Sequence, residues 1–110
     1  MADGLEILVT ASGFDWDEHN ADKIRERHGV LPFECEEVFA SGPLVAPDPR
    51  HSAGEPRHAA FGSTRTGRRL AIFFAVRAGR IRVISARDPS RRERRELQHA
   101  EKAQEDSALP

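Results

Sequence analysis

The stretch RRLAIFFAVRAGRIRVISAR (residues 68–87) decides how this chain folds. Leu70, Ile72, Phe74 and Val76 alternate with Ala71, Phe73 and Ala75. After Arg77-Ala78-Gly79 the alternation resumes, with Ile81, Val83 and Ser85 set against Arg80 and Arg82. A two-residue period sends successive side chains to opposite faces of a strand, and a short glycine-containing break between two such runs marks a hairpin. The stretch therefore predicts two antiparallel strands, residues 69–76 and 80–86, with one face fully apolar and the other small and basic.

Upstream, RHAAFGS (residues 57–63) reads as a third strand, joined to the hairpin by a connection of hairpin length. LVAP (residues 44–47) is a brief strand, and DPRHSAGEP (residues 48–56), built of turn-forming residues, is a loop. Two helices precede these strands. Asp17 is the N-cap of the first, with Trp16 placed to staple onto Ala21, Glu18 in the first turn and Gly29 as a left-handed stop after His28. The second is PFECEEVFA (residues 32–40), with Phe33, Val38 and Phe39 as its buried side. Downstream, S-R-R-E (residues 90–93) behind Pro89 supplies a capping box that opens a last helix. LEILVT (residues 5–10) reads as a further strand and AQEDSALP (residues 103–110) as a frayed polar end.

The order of these elements gives an α+β fold. Residues 1–13 form an N-terminal extension, 14–99 the domain proper and 100–110 a polar tail. The two N-terminal helices and the C-terminal helix are expected on one face of the antiparallel sheet. The other face would then be a shallow, arginine-rimmed surface, which suits a flexible single strand of RNA better than a small ligand.

Composition agrees with one small domain, since 110 residues with 38% apolar and 32% charged side chains bury a thin core under a heavily charged skin. No apolar run reaches spanning length, and the opening MADGLEILVT lacks the basic start and long apolar stretch of an export signal. A soluble cytoplasmic protein with no membrane partner is expected. The lone cysteine, Cys35, excludes an internal disulfide and any Cys-pair metal site, and reads as a small buried residue.

The formal net charge of −1 hides a segregation. Residues 1–40 carry 3 basic and 10 acidic side chains, residues 41–95 carry 13 and 4, and residues 96–110 carry 1 and 4. Such asymmetry points to a polyanion-binding surface in the second half and an acidic face in the first. Of the 17 basic residues 15 are arginine, whose planar fork suits phosphate and stacks on bases.

Three segments together resemble the BrnT toxins of bacterial toxin–antitoxin pairs. FDWDEHNADKIRERHGVLPFECEEVF (residues 14–39) has their W-D start, R-H-G helix end and aromatic-to-VF second helix. DPRHSAGEPR (residues 48–57) is similar to their D-x-x-H-S-G-E-x-R loop, and IRVISARDPSRRERRE (residues 81–96) to their I-R-I-I-S-A-R strand ending in a basic helix. The likeness spans residues 14–96. It implies a RelE-like fold and a ribonuclease toxin that inhibits translation by cutting RNA. It also implies a small antitoxin, BrnA, with a ribbon-helix-helix type DNA-binding domain. The complex would repress its own operon, so that operator DNA is contacted only through the antitoxin.

Cutting RNA without a metal needs a base for the 2′-hydroxyl, cations on the developing phosphorane charge and an acid for the leaving oxygen. The chain has no tyrosine, which leaves histidine, glutamate or arginine-assisted water for proton transfer. Arg87, at the junction of the last strand and the basic helix, and Arg57, beside the sheet edge, are the candidate phosphate cations. Glu55 is the candidate base, and His51 has the intrinsic pKa to carry a proton near neutrality. Competing readings are ion pairing of Arg87 with Asp88 or the first helix, an Arg57–Glu55 pair tying down the loop, and backbone capping by Asp48 and His51. Arg80, Arg82, Arg91, Arg92, Arg94 and Arg95 are the candidate RNA-backbone contacts, and His58 is expected beside Arg82 on the open face. Asp48, His51 and His58 match no standard ligand spacing, and the glycines form no phosphate-cradling loop, so neither metal nor cofactor is expected. A non-catalytic nucleic-acid-binding module and a protein-interaction domain are the alternative functions.

Overall fold

The computed structural model describes residues 12–51 and 54–108; the side chains of His51 and of residues 104–108 lie outside that description, as does the strand expected at residues 5–10. The chain runs α1 (Glu18–His28), α2 (Pro32–Ala40), β1 (Leu44–Pro47), a 3-10 turn (Pro49–His51), β2 (His58–Ser63), β3 (Arg69–Arg77), β4 (Arg80–Arg87) and α3 (Arg91–Ala108). The strands form one antiparallel sheet in sequence order. Residues Ser12 to Asp15 run alongside β4, where Phe14 bridges Ile81 in parallel.

Local chemistry sets the element ends. Asp17 accepts the Asn20 N–H while the Asn20 side chain accepts the Asp17 N–H, a reciprocal cap at 3.1 and 2.8 Å. Gly29 closes α1 at φ 64°, a conformation glycine adopts without steric cost. The β3–β4 turn is tighter than the expected three residues: only Ala78 and Gly79 connect the strands, both at positive φ, as the twist of a two-residue hairpin demands.

The core lies between the sheet and the two N-terminal helices. Ile24, Val30, Cys35 and Val38 pack on Ala60, Leu70, Ile72, Phe74, Ile81, Val83 and Ala86. Close approach of α2 is possible because β2 carries Gly62, where a Cβ would meet Val38 Cγ1 at 3.1 Å. Cys35 is buried as expected, and loss of hydration pushes its thiol up to about 12, so no reactive thiolate forms there. Phe33, expected inside, is 57% exposed; it lies in the first turn of the helix, on the stripe opposite Cys35 and Val38. Trp16 packs against the core and donates its Nε1–H to Glu36 at 2.9 Å.

The helices are not all on one face. Leu97 of α3 packs with Ala59, Phe61, Ala71 and Phe73, which point away from the α1–α2 side. Ala59, Phe61, Ala71, Phe73 and Ala75, on the second face of β2 and β3, are themselves apolar, so that face also needs cover; its alanines leave room for one leucine. The polar end of the chain does not fray where expected either, because α3 continues to Ala108 through residues with good helix propensity.

A bulge interrupts the central hairpin. Phe74 pairs with Val83 but Phe73 pairs with Ser85, leaving Ile84 as the extra residue. Ser85, expected beside Ile81 and Val83, therefore faces away from them, and Ala86 takes the inward place. His58 pairs with Phe74 and lies on the α1–α2 side, its ring 5.7 Å from that of Phe74, rather than on the face with Arg82.

Candidate functional site

The bulge also decides where the end of β4 points. If the pairing of Arg82 with Ala75 ran on unbroken, Ala86 would stand opposite Ala71 and Arg87 would turn toward the core. The extra residue reverses this, so Arg87 stands opposite Ala71 on the face of Phe73. Its guanidinium lies over the Phe73 ring at 4.9 Å from the centroid, which holds the charge on an aromatic platform.

Arg87 lines a cleft of about 450 Å³ together with Asp48, Arg50, Arg57, Phe73, Ile84, Ser85 and Glu93. Four parts of the chain build it. Asp48 and Arg50 come from the loop after β1, and Arg57 from the approach to β2. The Asp48 N–H donates to the Arg57 carbonyl at 2.9 Å, which ties the two ends of that loop together. Phe73, Ile84, Ser85 and Arg87 come from the bulged hairpin, and Glu93 from the first turn of α3. Three arginines and two acidic residues thus line one concavity.

Glu93 is held at several points. Its carboxylate accepts from Arg87 Nη1 at 2.7 Å and Nη2 at 3.0 Å, and from the Ser90 N–H at 2.7 Å, while its own N–H donates to Ser90 Oγ at 3.2 Å. Burial alone would push the Glu93 carboxyl up, but the hydrogen bonds from Arg87 and Ser90 together outweigh it and hold it below the ordinary glutamate range. Glu55 is held down by its hydrogen bonds from Arg77, and Asp17 by the Asn20 N–H, with Arg82 adding to the effect.

A carboxylate whose folded-state pKa is depressed stabilises the fold above its unfolded value, and that contribution is lost as pH falls through the folded one. Thermal stability is therefore expected to hold from pH 7 to about 5 and to decline below the ordinary carboxylate range near ~4.3. Glu93→Gln should give a shallower decline. Melting curves at stepped pH check this, and a melting temperature unchanged down to pH 3 would refute it.

Of the residues anticipated from sequence, Arg87 and Arg57 meet in the cleft. Glu55 does not line it; its carboxylate makes a bidentate pair with Arg77 at 2.7 and 2.9 Å. His51 sits in the 3-10 turn next to Arg50, with its side chain outside the described residues. Arg82 is only 11% exposed and is held by Asp15 at 3.5 Å and Asp17 at 3.0 Å, which gives it a structural task between β4 and the entry to α1. Arg80 is exposed at the hairpin turn, and Arg91, Arg94 and Arg95 are exposed at the start of α3, in no ion pair among the described residues. Arg92 is 87% exposed, 3.5 Å from Glu96.

Arg50, Phe73, Ser85 and Glu93 were missing from the anticipated site. Glu93 had a signal, its place in S-R-R-E, but that motif reads as a cap and says nothing of Arg87. Among the described residues no group of three histidine, cysteine or acidic side chains is placed to hold a metal ion. No described helix is long and apolar enough to cross a membrane.

With this geometry in place, comparison with known proteins is informative. The chain matches the family model described as the ribonuclease toxin BrnT of type II toxin–antitoxin systems, over residues 16–93. That span holds the helices α1 and α2, the whole sheet and every residue of the cleft. No curated protein matches it in sequence. Among solved structures it is similar to the crystal structure of the Brucella abortus ribonuclease toxin BrnT, with 24% identity and a TM-score of 0.54 over 74% of this chain and 100% of that one. At that identity the likeness speaks for the fold alone, while the family match covers well over half of the chain. The chain belongs to the BrnT family of ribonuclease toxins of type II toxin–antitoxin systems.

Proposed function

We propose that this protein is a metal-independent endoribonuclease that inhibits translation in the cytoplasm by cutting RNA in the Arg50–Arg57–Arg87 cleft. The observation that carries the reading is the convergence on one cleft of Arg50 and Arg57, from the two ends of the β1–β2 loop, and Arg87, from the end of β4 over the Phe73 ring. In the reaction the 2′-hydroxyl loses a proton and attacks phosphorus, the 5′-oxygen leaves with a proton, and a 2′,3′-cyclic phosphate remains. Negative charge grows on the non-bridging oxygens meanwhile, and oriented guanidinium groups stabilise it more than they stabilise the starting phosphodiester.

Arg87 and Arg57 take that task, joined by Arg50. His51 and Glu55 remain the candidates for proton transfer, since both belong to the loop that brings Arg50 and Arg57 to the cleft. Arg80, Arg91, Arg92, Arg94 and Arg95 hold the RNA backbone outside it. A BrnA-like antitoxin neutralises the toxin, and the complex represses its operon, the toxin reaching operator DNA only through the antitoxin. The RelE-like relationship of the fold belongs to the same reading.

Purified protein is expected to cleave single-stranded RNA in EDTA and to leave 2′,3′-cyclic or 3′-phosphate ends. An equimolar antitoxin should abolish the cutting. Cleavage lost in chelator and restored by a divalent ion would overturn the metal-independent mechanism. Salt-dependent RNA binding with no cleavage under any condition would select the non-catalytic nucleic-acid-binding alternative instead.

A further inference from the structure

An arginine guanidinium offers two bidentate edges, one formed by Nη1 and Nη2 and one by Nε and Nη2. In Arg87 the first edge is filled. Glu93 takes one hydrogen from each Nη, at 2.7 and 3.0 Å, and the Asp88 carbonyl takes the second Nη1 hydrogen at 3.2 Å. The second edge is open, because Nε and the remaining Nη2 hydrogen have no partner among the described residues. Nor is Nε among the buried side-chain atoms left without a hydrogen bond. Phe73 supports the guanidinium from one side, and Arg50 and Arg57 line the same cleft.

We propose that Glu93 is the positioning residue of the site: it holds Arg87 by the Nη1/Nη2 edge so that the Nε/Nη2 edge is presented, already oriented, to two oxygens of the RNA phosphate. This rests on the reading of the cleft as the place of RNA cleavage. Glu93 itself touches neither the phosphate nor the 2′-hydroxyl. Three observations favour positioning over simple charge neutralisation. The carboxylate is bidentate, which fixes the plane of the guanidinium as well as its place. The carboxylate is anchored by the Ser90 N–H, and the Glu93 backbone N–H by Ser90 Oγ, so the acceptor is tied to the start of the helix independently of Arg87. And it leaves unoccupied the edge that a phosphate would need.

The chemistry of the capping box supplies a clean test. Glutamine serves at this helix position as glutamate does, so Glu93→Gln keeps the cap on α3 while replacing a two-oxygen acceptor by an amide that offers one. Turnover of a short single-stranded RNA is expected to fall about tenfold, with KM little changed and the melting temperature at neutral pH lowered only by the modest amount the ionised carboxylate contributed, because a donor that wanders by a fraction of an ångström loses transition-state contact before it loses binding. Arg87→Lys has a point charge and no fork, and cannot serve Glu93 and phosphate together; it should lose more. Adding Glu93→Gln to Arg87→Lys should then cost nothing further, the non-additivity of two residues acting as one unit.

A second readout does not depend on cleavage. The Arg87 Nε–H resonance should be sharp in the free protein and should shift when a 2′-deoxy oligonucleotide, which lacks the attacking hydroxyl, is added. In Glu93→Gln it should broaden and shift less. Wild-type turnover in Glu93→Gln, additive losses in the double variant, or a wild-type Nε–H resonance unmoved by the oligonucleotide would each overturn the assignment. A protein that cuts no RNA yet shows the Nε–H shift would overturn the ribonuclease reading and leave Glu93 as the residue that orients an anion-binding arginine.

Discussion

Replacing Arg87 by alanine is expected to lower turnover on single-stranded RNA roughly 10²-fold or more, the scale of losing one oriented charge-stabilising donor. Arg87 is poised for this by three separate constraints: the bulge that turns it to the cleft, the Phe73 ring beneath it and the Glu93 carboxylate behind it. Arg92→Ala is the contrasting case. That side chain is 87% exposed and, among the described residues, pairs with Glu96 at 3.5 Å, an exposed pair worth ~0–1 kcal/mol, so it is expected to act on RNA as one loosely held charge. Its loss should leave turnover at saturating RNA nearly unchanged, weaken binding, and lower the dependence of binding on salt by about one phosphate's worth.

Arg87→Ala also strips Glu93 of its partner in a partly buried place, so some loss of melting temperature accompanies it. Turnover is therefore to be compared well below the melting transition of both variants, alongside affinity at two salt concentrations. Equal turnover in Arg87→Ala and Arg92→Ala would mean that the arginines form an electrostatic surface only and that the chemistry lies elsewhere.

Much of the fold was legible because it rests on strong periodic signals. The alternation in residues 69–86, the caps at Asp17 and Gly29 and the S-R-R-E box fix two strands and three helix ends by local chemistry alone. The sidedness of the sheet was harder to read. Ala59, Phe61, Ala71 and Phe73 look like a small outer face, and only packing shows that they accommodate Leu97. The bulge had a trace in the sequence, since the inward residues Ile81, Val83 and Ala86 are spaced by two and then by three. Without a partner strand that spacing does not say which residue is extra.

The candidate site inherits both limits. Arg87 is legible because it ends a strand marked by the alternation, and Arg57 because it closes the DPRHSAGEPR loop beside the sheet edge. Arg50 and Glu93 come from a loop and a helix cap, and their meeting with Arg87 depends on the path of the chain after β1 and after the bulge. The crowding of arginines also has a mixed cause that charge counting does not separate. Arg68 spends its guanidinium on Glu34, Asp88 and the carbonyls of His28 and Gly29, Arg69 pairs with Glu101, and Arg77 pairs with Glu55. These hold helices and loop to the sheet, whereas Arg80, Arg91, Arg94 and Arg95 have no such task among the described residues.

The sharpest contrast expected on stability comes from the two neighbouring phenylalanines at the bulge. Phe74 is fully buried, meets Phe39 edge-on at 5.1 Å and lies in the core between the sheet and α2. Truncating such a ring removes its transfer energy and leaves a cavity, at a cost of about 3–5 kcal/mol, which is a large part of the stability of a domain this size. Phe74→Ala should therefore melt many degrees lower, or fail to fold, and any loss of RNA cleavage should track the unfolded fraction. Phe73, one residue earlier, is only partly buried and carries Arg87 on its ring. Phe73→Ala should cost about 1 kcal/mol, consistent with removing half of a buried aromatic surface. It should nevertheless lower turnover several-fold in protein that remains folded, because the guanidinium loses the surface that fixes its height above the sheet. Thermal melts and single-turnover cleavage on both variants decide the matter. If Phe73→Ala lost stability as Phe74→Ala does, or kept full turnover, the bulge would be a packing feature alone; a folded Phe73→Ala with impaired chemistry would mean that the extra residue in β4 exists to build the site.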